Sequence, residues 1–246
     1  MESPKPDTTN HLALIDQLLD AALAHVPFDG WGPETFAAAI TDSGVAHGLA
    51  RALCPRGAVD LAVAYHARGD RLMQHALAKT DLTTLRYRDR VAKAVRLRIE
   101  AISDKEAVRR ASTLFSLPHL AADGARMVWG TADLIWAALG DTSDDVNWYS
   151  KRAILSGVYG ATLLFWLGDD SPDQSATWAF LDRRIDNVMQ FEKFKSMANT
   201  NPLLKAMMAG PNMVLSRLRA PKSASRANMP GFWSGKTNGS AERWQE

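Results

Sequence analysis

Apolar residues in this chain recur at helical spacing almost throughout, and the alternation that marks a half-buried strand is nearly absent. That pattern predicts an all-α protein. A first helix is expected over 11–26, with Leu12, Ile15, Leu18, Leu19, Ala22 and Val26 on one stripe. Two short helices follow at 33–43 and 46–52, separated by Ser43-Gly44. Longer ones are expected at 57–78, 82–102, 104–116 and 119–139, with Pro118 as the break between the last two. Thr142 and Asp145, at capping-box spacing, open a helix over 144–168. Ser171-Pro172-Asp173-Gln174 reads as a second start signal, a serine cap with proline at the first helical position, for a helix reaching about 197. An amphipathic segment covers 201–219. The Pro-, Ser- and Gly-rich stretch beyond Ala220 reads as disordered.

Positions 153–168, AILSGVYGATLLFWLG, carry no charge. A membrane-spanning helix needs about 20 apolar residues. This stretch is shorter and is flanked by Lys151, Arg152, Asp169 and Asp170, so it reads as a core helix. Ala153, Gly157 and Ala161, with Gly160 beside them, form a small-residue stripe on it. Interior glycines cost a helix about 1 kcal/mol each relative to alanine. Two readings stand: a neighbouring helix approaches closely along the stripe, or the missing side chains leave room for an apolar ligand.

The chemistry of catalysis is not visible. No GxGxxG or GxxxxGK[ST] phosphate loop, no HExxH and no Glu-x-x-His pair occurs. His11, His25, His47, His66, His75 and His119 are scattered without ligand spacing, and single histidines of this kind read as surface or satisfied core residues. The lone Cys54 precludes an internal disulfide framework and fits a reducing compartment. A net charge of +2 gives no strong pull toward nucleic acid.

Two further segments bear on function. Over 12–66 the order of helices and breaks has the rhythm of a helix-turn-helix bundle, but its reading element, residues 44–51, is nearly apolar and lacks the basic and polar side chains that reach phosphates and bases. The basic helix with Arg86, Arg88, Arg90, Lys93, Arg96 and Arg98 spreads its charge around the axis and reads as a solvated surface helix. In 203–219, Leu204, Met207, Met208, Leu215 and Leu218 share a stripe with Pro211, while Lys205, Arg217 and Arg219 lie at its edges or opposite. This suits a membrane interface; it equally suits a final helix capping the core or a dimer contact. Pro211 would kink or split that helix.

The stretch from Leu117 to Met189 resembles the core of the ubiquinone-biosynthesis accessory lipid-binding family, coenzyme Q protein nine. The matching elements are Gly140-Asp141, Ser143, Asp145, Asn147-Trp148-Tyr149, Arg152-Ala153, Tyr159, Asp170-Ser171, Asp173, Thr177-Trp178, Phe180-Leu181 and Arg184. The N-terminal part is similar to the TetR-type regulators. The resemblance implies an all-helical TetR-like bundle with a degenerate helix-turn-helix and a C-terminal amphipathic helix, forming a homodimer without nucleic-acid binding. It implies a non-enzymatic accessory protein that binds a quinone intermediate, isoprenoid or phospholipid, with no other cofactor, and presents it to a membrane-associated demethoxyubiquinone-type hydroxylase. A ligand-responsive TetR-type regulator is the competing expectation.

On this basis the chain divides into a disordered N-terminus (1–10), a helix-turn-helix-like unit (11–56), a lipid-binding helical domain (57–198), a membrane-contact helix (199–219) and a disordered tail (220–246). Candidate lipid-binding residues are Met127, Val128, Leu134, Ile135, Leu155, Tyr159, Leu163, Trp166, Phe180, Ile185 and Met189. Asp173, Trp178, Leu181 and Arg184 are the candidate partner-docking residues, and Leu204, Met207, Met208, Leu215 and Leu218 the membrane-contact residues. Because MESPKPDTTN has neither a secretory nor a transit layout, the expected location is cytoplasmic, peripheral on the inner membrane of a bacterium.

Overall fold

The structure, a computed structural model, describes residues 8–102 and 104–200, with side chains described over 10–102 and 104–188. The membrane-contact residues Leu204, Met207, Met208, Leu215 and Leu218, and the expected tail at 220–246, lie outside the described residues.

The described residues form ten α-helices and no strand: α1 Thr8–Leu23, α2 Val26–Asp29, α3 Pro33–Ser43, α4 His47–Leu53, α5 Ala58–Lys79, α6 Tyr87–Glu100, α7 Lys105–Phe115, α8 Ala121–Ala138, α9 Val146–Leu167 and α10 Ser175–Thr200. The first helix is shorter than its apolar stripe suggests. Pro27 has no N–H to give the Leu23 carbonyl, so the helix stops there and α2 forms separately. The sixth begins at Tyr87 rather than 82. Asp81 accepts hydrogen bonds from the Thr83 N–H (2.9 Å) and hydroxyl (2.6 Å), a local turn that competes with helix. Between α3 and α4 the chain turns at Gly44, whose φ of 68° lies in the left-handed region that favours glycine.

Two apolar clusters hold these helices together. The first joins α1, α3 and α4 to the start of α5, with Leu18, Leu19, Val26, Phe36 and Leu61 at its centre. Trp31 ties it to α7 by donating its indole N–H to the Ala107 carbonyl at 3.1 Å. The second joins the end of α5 to α6, α8, α9 and α10 through Met73, Val95, Ile99, Ile135, Leu155 and Tyr159. α5 packs into both, so the boundary expected at residue 56 divides the sequence but not the core.

The solvated-surface reading of α6 does not hold. Val91, Ala94, Val95 and Ile99 are buried, and so is Arg98. Its guanidinium donates through Nε to Asp70 (2.6 Å) and through Nη2 to the His66 carbonyl (2.9 Å), which is how a charge is tolerated there. Other α6 arginines reach outward to partners, Arg88 to Asp186 (2.6 Å) and Arg96 to Glu100 (2.6 Å).

Candidate functional site: a cavity at the seam of two cores

Between the two clusters lies a cavity of about 120 Å³. α5 supplies Ala62, Tyr65 and His66; α6 and the turn after it supply Arg98 and Ile102. α7 contributes Val108, Ala111, Ser112 and Phe115, α8 Gly124, Met127 and Val128, and α9 Tyr159 and Leu163. The lining is mostly apolar. An engineered apolar cavity of about 150 Å³ holds benzene, so this one suits a group near the size of a single ring. A whole isoprenoid tail would have to leave it.

The polar residues cluster around α5 and α6. Thr131 donates to Asp70 at 2.8 Å, and the His66 imidazole Nε2 sits 2.8 Å from the Thr131 hydroxyl and 3.2 Å from the Met127 carbonyl. Burial pushes the imidazole pKa down to about 4, with the nearby Asp70 opposing and Arg98 reinforcing the shift. His66 is therefore neutral near pH 7. Burial raises the Tyr65 and Tyr159 phenols to about 12, so both keep their protons.

Four of the expected lipid-binding residues line the cavity: Met127, Val128, Tyr159 and Leu163. Leu134, Ile135, Leu155, Trp166 and Ile185 belong instead to the packing of the second cluster. Phe180 stacks on Phe165 with ring centres 4.5 Å apart, away from the lining. The side chain of Met189 lies outside the described residues. The expected walls were α8, α9 and α10; among the described side chains the walls come from α5 to α9, and none comes from α10. Apolar periodicity marks which face of a helix is buried but not which buried residues border a void. The contributions of α5, α6 and α7 were therefore missed, although the buried Arg98 and the half-buried Tyr65 and His66 were there to be read as polar residues on apolar faces.

The small-residue stripe of α9 has neither of its two expected surroundings. Ala153, Gly157 and Ala161 are exposed, and a Cβ at Gly157 or Gly160 would meet nothing within 4 Å. Leu164, 64% exposed, continues this open face.

The candidate docking residues sit around the start of α10. The expected Ser171-to-Gln174 cap is replaced by a kinked 3-10 turn at Pro172–Gln174, in which Asp173 and Gln174 have φ of 52° and 57°. Two tryptophans hold this turn: Trp166 donates to the Gln174 side chain and Trp178 to the Asp173 carbonyl, each at 3.0 Å. The helix start is capped from outside, because Asp169 accepts from the Thr177 N–H (2.8 Å) and Ser171 Oγ from the Ala176 N–H (3.0 Å). Asp173 and Arg184 are exposed, and Trp178 is half-buried beneath Arg96, 4.6 Å from its ring centre. Leu181 is buried in the second cluster, so as the fold stands it packs α10 rather than offering a docking surface.

Several motif residues have a structural task. Arg152 is buried, bonds Asp133 and Asp141, and lies 4.0 Å over the Trp148 ring. Lys151 donates to Asp141 and to Ser143, both at 2.7 Å. This network fastens the α8–α9 connection to the first turns of α9. Burial alone would raise the Asp141 carboxyl, but hydrogen bonds from Lys151, Ser143 and Arg152 outweigh it and hold the pKa at about 2.

Among the described residues no group of three histidine, cysteine or carboxylate side chains could hold a metal ion, and no helix is long and apolar enough to cross a membrane.

The crystal structure of a TetR transcriptional regulator from Nitrosomonas europaea superposes with a TM-score of 0.59 at 18% identity, covering 71% of this chain and 97% of that one. That likeness establishes a TetR-like fold. A model of the COQ9 family matches residues 121–192. The Bos taurus ubiquinone biosynthesis protein COQ9, mitochondrial, is 30% identical over 213 residues, 82% of this chain and 66% of that protein. The Homo sapiens protein of the same name is 29% identical with the same coverage. The Drosophila melanogaster one is 30% identical over 207 residues, 79% of this chain and 62% of its own length. The chain thus spans about two thirds of the length of these relatives. The expected placement, cytoplasmic and peripheral on a bacterial inner membrane, is overturned by them, because they are mitochondrial proteins of eukaryotes. The matched family region carries α8, α9 and most of α10, and the relatives extend over the helices that build the rest of the cavity: the chain belongs to the COQ9 family.

Proposed function

We propose that this chain is a non-enzymatic accessory protein of ubiquinone biosynthesis, which binds a quinone intermediate or related isoprenoid lipid and presents it to a membrane-associated hydroxylase. The observation that carries this reading is the ring-sized, mostly apolar cavity at the seam of the two cores, in a chain whose relatives are named as ubiquinone biosynthesis proteins. Ubiquinone precursors carry long apolar tails that partition into the bilayer. Each CH₂ buried contributes about 0.8 kcal/mol, so a cavity that shelters the ring and first tail atoms can compete with lipid only if the rest of the tail stays covered. In this reading the ring enters the cavity, and the amphipathic segment 199–219 keeps the tail at the membrane surface. Residues 57–198 then form the lipid-binding domain and 11–56 a helix-turn-helix remnant.

The hydroxylase docks at the start of α10. Asp173 and Trp178, joined by a hydrogen bond, supply an exposed carboxylate and a half-buried aromatic ring, and Arg184 adds an exposed guanidinium further along the helix. The dimer forms along the open stripe of α9, where Leu164 and Phe165 add exposed apolar surface. Mass spectrometry of lipid extracted from the purified chain tests the central step. An isoprenoid quinone or its precursor bound to the protein is the expected result, and its consistent absence would remove the reading. For docking, Trp178→Ala is expected to keep the helical circular dichroism signal, lose about 1 kcal/mol of stability with the Arg96 contact, and bind the hydroxylase at least tenfold more weakly. Unchanged affinity would remove Trp178 from the docking surface.

A further inference from the structure

Arg98 and Tyr159 are both fully buried, and both line the cavity. Arg98 Nη1 and the Tyr159 hydroxyl are also buried polar atoms with no hydrogen-bond partner among the described residues. The guanidinium carbon lies 5.7 Å from the Tyr159 ring centre, so the two side chains are neighbours where α6 and α9 line the cavity, with Nη1 against Gly69 of α5. A buried donor left unpaired costs about 1–3 kcal/mol, so two side by side in an otherwise satisfied network point to a missing acceptor. The rest of the guanidinium is fixed, with Nε on Asp70 and Nη2 on the His66 carbonyl. Gly69 makes room for it: a Cβ at that position would stand 2.7 Å from Arg98 Cζ.

We propose that Arg98 Nη1 and the Tyr159 hydroxyl are a donor pair that reads a neutral oxygen acceptor, a ketone or quinone-type carbonyl, on a ring-sized group in the cavity. The chemistry favours a neutral acceptor over an anion. Asp70 already balances the Arg98 charge, the other titratable lining side chains, His66, Tyr65 and Tyr159, are neutral, and the nearby cation Arg68 on α5 is already paired with Asp16 and Asp20. An anion would bring a second buried negative charge against one guanidinium, and an uncompensated buried charge is expensive. A carbonyl takes both hydrogen bonds and adds no charge. The orientation follows: the oxygen-bearing ring lies inward against α6 and α9, and any tail points out. The inference rests on the cavity being a ligand site, as proposed above, and adds which end of the ligand enters and which residues select it.

The test uses the full chain, stripped of co-purified lipid, and three probes of equal heavy-atom count and similar shape. Acetophenone offers a neutral carbonyl, cumene no acceptor and benzoate an anion. Affinities come from ligand-observed NMR titration. Acetophenone is expected to bind about tenfold tighter than cumene, the return from one to two hydrogen bonds, with benzoate weaker than either. Tyr159→Phe, which deletes only an unpaired hydroxyl, is expected to keep or slightly raise the melting temperature, leave cumene binding unchanged and erase most of the acetophenone preference. A tyrosine retained for packing alone would show no such selective loss. Equal binding of acetophenone and cumene, or a preference that survives Tyr159→Phe, would overturn the donor pair while leaving the cavity as an apolar site. Tightest binding by benzoate would make it an anion site and overturn the neutral assignment. Binding of none of the three would overturn the pair together with the ligand reading on which it rests.

Discussion

Arg98 shows how much a single buried side chain decides here. Its charge is held by Asp70 and by the His66 carbonyl, and it fits only because Gly69 has no side chain. Two effects compete at position 69. Alanine gains about 1 kcal/mol of helix propensity over glycine, but it would drive the guanidinium off its carboxylate, and overpacking a well-filled core costs about 1–3 kcal/mol. The second effect wins because the displaced group is an ion-paired charge. Gly69→Ala is therefore expected to lower stability by about 2 kcal/mol in chemical denaturation. A variant as stable as the parent would show that Arg98 can move freely.

Among the elements, the connection between α8 and α9 depends on Asp141, which receives Lys151, Arg152 and Ser143. Its folded pKa of about 2 lies below the ordinary carboxylate value, so the stabilisation it provides is complete above about pH 4 and is lost as the pH falls toward 2. Asp141→Asn is expected to cost roughly 3 kcal/mol at pH 7. The gap between variant and parent should narrow between pH 4 and 2. A gap of constant size across that range would mean the charge is not what matters. The α9 stripe makes a separate prediction, because Gly157 faces outward with open space beside it. With the dimer contact proposed for this face, the parent chain is expected to sediment as a dimer and Gly157→Leu as a folded monomer. A dimer of undiminished affinity would place the contact elsewhere.

Most of these elements were legible beforehand. Ser43-Gly44 and Pro118 mark breaks where the chain does break, and α3, α5, α7 and α9 end within a few residues of their expected bounds. What escaped was tertiary. The Asp169 carboxylate caps α10 across a turn, and no local spacing encodes that contact. Nor could a residue count around one helix show that α6, with its arginines on every side, would be enclosed between α5 and α10.

At the scale of the whole molecule, the two clusters meet at a seam and the cavity lies there. The TetR-like frame sets the seam, and the residues lining it set what enters. The candidate site was half-legible for the same reason. Met127, Val128, Tyr159 and Leu163 lie in the region that resembles the family, whereas Tyr65, His66, Arg98 and Phe115 come from helices where only the fold could bring them together. The account stands or falls on that cavity holding the ligand. Ala111 lines it from α7 and is half-buried, so Ala111→Phe fills the space while keeping the helix. The deciding measurement is the amount of isoprenoid lipid extracted per protein molecule from the parent and from this variant, with both confirmed folded. The account predicts that the parent carries lipid and that the variant loses nearly all of it. Equal lipid on both would contradict it.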